Sequence, residues 1–143
     1  MPEDGVAELR GEAPTRSIDL KLVPAAVYTE PGIGVVGSTR DGAKERGLDV
    51  VQVVMKFAGN GKALAEGHGD GFVQIVAENG TGRIVGAQIV GSGAAELIQE
   101  LSIPMGAGMT VAQVGHSVFG HPTVSEVVKF ACIEAANKTG TSH

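Results

Sequence analysis

Two runs of alternating, β-branched residues, "GFVQIVAE" from Gly71 and "RIVGAQIVG" from Arg83, are separated only by "NGTG" at Asn79 to Gly82. Asparagine and glycine tolerate positive φ, so this link predicts a tight antiparallel hairpin, and it fixes which residues of the two strands can face a common core. A third valine-rich run, "VVQVVMKFA" from Val50, precedes the hairpin and extends it to a meander. Upstream, "AAVYTE" and "IGVVGS" flank Pro31 and Gly32 and read as a short strand broken by a turn. "DGAKERG" between them and the meander reads as a brief surface helix ended by Gly47.

Beyond Gly91 the period changes. In "SGAAELIQELSIPMGAGM", Ala94, Leu97, Ile98 and Leu101 share one helical face, and Pro104 should kink or end that helix. Thr110 with Gln113, and Thr123 with Glu126, have the spacing of capping boxes. The second should open a helix running to about Lys138 with Val127, Val128, Ala131, Ile133 and Ala135 as its apolar stripe. Strands first and helices after predict an α+β domain, an antiparallel β-sheet with helices packed on one face, rather than a doubly wound parallel sheet. Residues 1–22 are charged and lack an apolar period, so they read as a linker or the remnant of a preceding segment, leaving residues 23–143 as the domain.

Composition narrows the function classes. With 143 residues, 43% hydrophobic and 19% charged, one globular domain is expected. A net charge of -5, one tyrosine, four phenylalanines and no tryptophan leave neither a basic footprint nor stacking platforms, so nucleic acid is not expected as a partner. Cys132 is the single cysteine, which excludes an internal disulfide, a CxxC redox pair and a thiolate zinc cluster. No apolar run reaches the length of a membrane span and "MPEDGVAELR" does not resemble a secretory signal, so no membrane partner and a cytoplasmic location are expected.

Several motifs reduce to structure. "GSGAAE" at Gly91 to Glu96 follows a strand and opens a helix, but Glu96 stands at the third glycine position of a dinucleotide fingerprint, where its charge would face a pyrophosphate. "GNGK" at Gly59 to Lys62 lacks the spacing and the Ser/Thr of a phosphate loop and reads as a turn. His68 in "EGHGDG", with Asp70 nearby, has no second histidine or cysteine to complete a metal site, so no metal is expected. His116 and His121 do not share a helix face, and His143 is terminal.

"HPTVSE", His121 to Glu126, supports two accounts at once. As structure, Thr123 caps a helix, Glu126 completes the box and Pro122 fixes the entering chain. As chemistry, a carboxylate five residues on reaches back to one imidazole nitrogen, sets the tautomer and leaves the other nitrogen free as a base. A histidine-carboxylate pair without a nucleophile is a fragment of a mechanism.

Taken together, "VPAAVYTEPGIGVVGST", "NGKALAE", "GFVQIVAENGTGRIVGAQIVGSGAAELIQE" and "GHPTVSE" resemble, in collinear order over residues 23–138, the C-terminal interface (dimerisation) domain of the flavin-dependent pyridine nucleotide-disulfide oxidoreductases. The resemblance is strongest to the dihydrolipoamide dehydrogenase branch. Residues 3–22 resemble the last stretch of the preceding FAD-binding domain, so the chain looks like the C-terminal part of a longer enzyme.

The resemblance implies a two-fold homodimer in which each interface domain supplies its His-Glu pair to the opposite subunit's active site. His121 would be the acid-base group for a dihydrolipoyl thiol, Glu126 would orient it, and Pro122 would follow a cis peptide bond with the His121 backbone near the partner's flavin. FAD and NAD would be held by the parent's other domains, a lipoyl domain would be the substrate, and the chain alone would be inactive. The sequence departs from the family pattern at Phe119 and Lys62, where a second histidine and an arginine are usual, and at Pro104. Val127 after Glu126 favours the lipoamide branch over relatives with two acidic residues there. Two other classes share these features: a free-standing dimeric scaffold that has lost the chemistry, and the interface domain of another flavin disulfide reductase.

Overall fold

The computed structural model describes residues 19–142; the linker reading of the first residues and the terminal His143 therefore fall largely outside it. Five strands, β1 (Ala25–Val27), β2 (Ile33–Gly37), β3 (Val50–Lys56), β4 (Gly71–Glu78) and β5 (Ile84–Gly91), form one antiparallel sheet in the order β1-β2-β5-β4-β3. The helices are α1 (Arg40–Glu45), α2 (Gly61–Ala65), α3 (Ala94–Leu97), α4 (Gln99–Gly106), α5 (Val111–His116) and α6 (Glu126–Thr139). The expected α+β architecture holds, and no described helix is long and apolar enough to cross a membrane.

The β4–β5 hairpin is the centre of the sheet. Gly80 and Gly82 both take positive φ, and the Glu78 amide donates to Arg83 O, so the turn forms as the Asn-Gly sequence demands. The register aligns Val53, Ile75 and Ala87, with Val36 opposite Ala87, in one row, and alternation places these buried side chains on the same face. Against that face lie Leu97, Ile98 and Leu101 from the α3–α4 region, Val111 and Val114 from α5, and Val127, Val128 and Ala131 from α6, all in one apolar core. Val50 and Val76 have the opposite parity. They form a separate small cluster with Ala43 of α1, so α1 covers one corner of the other face.

Three local expectations need correction. Pro104 does not end the helix, because α4 continues to Gly106; the discontinuity lies at Ile98, between α3 and α4. One missing N–H in a short helix is tolerated when Leu97, Ile98 and Leu101 are already buried on its inner face. "GNGK" is not merely a turn: Asn60 Oδ1 accepts from the Ala63 amide at 2.8 Å and caps α2, while Lys62 pairs with Glu66 at 2.7 Å one turn on. The apolar stripe of α6 is wider than a single face, with Cys132 and Ala136 also buried and Ile133 only half-buried, because this helix packs both on the sheet and on α5.

Glycine is required where backbones touch. A Cβ on Gly86 would collide with the backbone N and O of Ser38, and one on Gly34 with the carbonyl of Ala94 and Cβ of Ile98. Gly86→Ala should therefore destabilise the domain by about 1–3 kcal/mol in urea unfolding, as overpacked cores do, whereas Gly61→Ala, where a Cβ meets open space at the start of α2, should leave stability unchanged or raised by up to about 1 kcal/mol.

Candidate functional site

The end of β3, the loop after α5 and the first turn of α6 converge at one end of the sheet. The sharpest cluster of polar contacts there is built on the "HPTVSE" segment. His121 Nδ1 lies 3.0 Å from Glu126 Oε1 and 3.1 Å from Oε2. The Thr123 amide donates to Glu126 Oε2 at 3.0 Å. One carboxylate thus receives a backbone donor and faces an imidazole, and the nitrogen facing it is the one that must carry the proton to donate. Nε2 is left as the free, proton-accepting position. The His121 side chain is 80% exposed whereas that of Glu126 is 17% exposed, so the anion is sheltered and the imidazole is open at the surface.

The Thr123 amide first, and His121 second, hold the Glu126 carboxyl below the usual glutamate range. The first turn of a helix is also the end where a negative side chain is favoured. His121–Pro122 is a cis peptide bond, as the family resemblance implied; Glu30–Pro31 is cis as well.

The expected capping box is only half present. Glu126 reaches back to the Thr123 amide, but the Thr123 hydroxyl donates to Gly120 O at 2.8 Å, and the helix begins at Glu126 with Ser125 in the cap position. Two tethers hold this entry turn. The Asn60 amide donates through Nδ2 to Thr123 O at 3.0 Å while its Oδ1 caps α2, which ties the loop to the start of α2. The Ser125 hydroxyl donates to Glu100 Oε1 of α4 at 2.5 Å. Burial pushes the Glu100 carboxyl up, the Ser125 bond opposing it. Lys129 lies 5.8 Å from the Phe119 ring centroid and steadies the loop from outside.

Neither Asn60 nor Glu100 was singled out by sequence for a part in the site. Asn60 lay within "NGKALAE" and could have been found as a helix cap; Glu100 lies 25 residues from Ser125, and nothing local links them. Pro122 and Glu126 are brought to His121 as expected, whereas His68 lines a separate cavity of about 230 Å³ with Glu66 and Glu96. Among the described residues no three His, Cys, Asp or Glu side chains are grouped to hold a metal ion. Gly93 takes φ 72° at the start of α3, so Gly91 to Glu96 is a strand-to-helix turn, with the Glu96 charge in its first turn. The Cys132 thiol is pushed up to about 12, by burial first and by Glu100 second, and is not a nucleophile in this state.

Residues 23–132 match the family model described as the pyridine nucleotide-disulphide oxidoreductase dimerisation domain. The chain is 45% identical over 120 residues to dihydrolipoyl dehydrogenase from Halobacterium salinarum, covering 84% of this chain and 24% of that protein. It is 40% identical over 110 residues to dihydrolipoyl dehydrogenase from Bacillus subtilis, covering 77% and 23%. It spans about a quarter of the length of these relatives. Among solved structures, LpdA from Mycobacterium tuberculosis superposes with a TM-score of 0.81 at 24% identity, covering 91% of this chain and 28% of that one. The HOCl-induced flavoprotein disulfide reductase RclA from Escherichia coli also gives 0.81, at 28% identity, over 90% and 30%.

Asn60→Ala removes a cap and leaves Thr123 O without its donor, so it should cost about 1–2 kcal/mol in denaturant unfolding. Because the folded-state Glu126 value is lowered, its stabilising contribution is present above the ordinary glutamate range and is lost as pH falls through the folded value. The stability difference between the wild-type chain and Glu126→Gln should therefore be full near pH 7 and close below about pH 4, measured by urea unfolding across that range.

Proposed function

Because this chain belongs to the dimerisation-domain family of the pyridine nucleotide-disulphide oxidoreductases, we propose that it is the interface domain of a dihydrolipoamide dehydrogenase and supplies His121 and Glu126 to the active site of the opposite subunit. The observation that carries this reading is the pair itself: His121 Nδ1 engaged with both Glu126 oxygens, and the rest of the ring exposed at the surface. An acid-base pair that works within its own chain would be expected in a cleft; one that faces outward suits a site completed by another subunit. Apolar side chains exposed on the same and adjoining elements support a contact surface here, with Leu64, Val118 and Phe130 at 56%, 98% and 50% exposure.

In this role His121 Nε2 takes the proton from a dihydrolipoyl thiol, leaving a thiolate, and the imidazolium so formed is held by the Glu126 carboxylate through Nδ1–H. At the Gly91 to Glu96 turn, the one strand-to-helix turn whose sequence approaches a dinucleotide fingerprint, Glu96 in the first turn of α3 disfavours a pyrophosphate. FAD and NAD accordingly belong to other domains of the parent, and this chain contributes proton handling and dimer contacts.

In the full-length enzyme, His121→Gln should lower kcat for dihydrolipoamide oxidation by about 10²–10⁴-fold, the usual worth of a positioned acid-base group. In the chain itself the same substitution should leave the unfolding midpoint nearly unchanged, because the imidazole is exposed. Unaltered turnover in the full-length variant would exclude the acid-base role.

A further inference from the structure

We propose that Glu100 is a positioning residue for the His121–Glu126 pair, acting through the hydroxyl of Ser125. This role presupposes the acid-base reading of the pair.

Ser125 occupies the N-cap of α6, where a serine hydroxyl ordinarily accepts a backbone N–H of its own helix. Here it makes no such bond and instead donates to Glu100 Oε1 at 2.5 Å, across the gap to α4. Glu100 is equally ill-served as a structural residue. Its Oε2 is buried without a partner and is the one such side-chain atom found among the described residues. Two side chains thus forgo better local satisfaction for one bond between helices, and a buried polar group left half-satisfied calls for an explanation.

The explanation lies one residue on. Glu126 must present its oxygens at the same time to the Thr123 amide and to His121 Nδ1, so a small rotation of the first turn of α6 would break both contacts. Asn60 holds the Thr123 carbonyl from the cap of α2, and Glu100 holds Ser125 from α4. The entry turn is therefore fixed from two sides, by two elements that belong to the core. The Glu100 carboxyl is itself held away from solvent, with Oε1 on the Ser125 hydroxyl and Oε2 buried.

The test is the titration of the Glu126 carboxyl by carbon NMR in this chain, assigned with Glu126→Gln, for wild type, Glu100→Ala, Glu100→Gln, Ser125→Ala and His121→Gln. Glu100→Ala and Ser125→Ala should move the Glu126 midpoint upward, toward the ordinary glutamate value, because the carboxylate loses its aligned donors. Glu100→Gln keeps a carbonyl acceptor for Ser125 and should restore the wild-type midpoint. A merely structural role would change the unfolding midpoint without moving this titration. If folded Glu100→Ala and Ser125→Ala samples titrate as wild type, the positioning role is wrong; should Glu100→Ala not fold, Ser125→Ala alone decides. His121→Gln should also raise the Glu126 midpoint, and if it does not, the pair is not coupled and the acid-base reading fails, whatever the Glu100 variants do.

Discussion

Packing of α6 across β3 and β4 is the constraint on which the rest of the molecule depends. Val127, Val128, Ala131 and Ala135 of this helix are buried against the sheet and α5, and full burial of each valine is worth roughly 1.5–3 kcal/mol. That interface holds the helix at a set height over the sheet. Since Glu126 is the first residue of the same helix, the position of the carboxylate is fixed by core packing rather than by the exposed loop that carries the histidine. A site placed on the end of a packed helix keeps its geometry without any ligand present.

The electrostatics follow from the same placement. A glutamate in the first turn meets unpaired amides and the positive end of the helix dipole, and it also receives the Thr123 amide. The Glu126 carboxyl is therefore held below the usual glutamate range, which favours the anion that faces His121. The anion, its donors and its tethers are all within this chain, and the imidazole beside it is 80% exposed, which is what the proposed completion of the site by another subunit requires.

Much of this was legible in the sequence because the decisive signals are local. The Asn-Gly link predicted the β4–β5 hairpin, the Thr110–Gln113 box formed as spaced, and five-residue separation brought Glu126 to His121. What escaped was set by tertiary context. Pro104 broke a pattern that burial of Leu97, Ile98 and Leu101 preserved, and Asn60 turned an apparent glycine turn into a capped helix. Thr123 spent its hydroxyl on Gly120 and left the cap position to Ser125, whose own hydroxyl bonds to Glu100 across the gap on α4. No periodicity within either segment carries that partnership, because it exists only once both helices are docked on the sheet.

The most direct measurement of the central claim is complementation between two defective full-length subunits, one carrying His121→Gln and the other lacking its redox disulfide. If His121 serves the opposite subunit, mixed dimers pair an intact disulfide from the first chain with an intact histidine from the second. Random two-fold assembly should then recover roughly a quarter of wild-type dihydrolipoamide oxidation from two inactive parents. Confirmed mixed dimers with no recovered activity would contradict the account, since the histidine would then act only within its own chain or not at all.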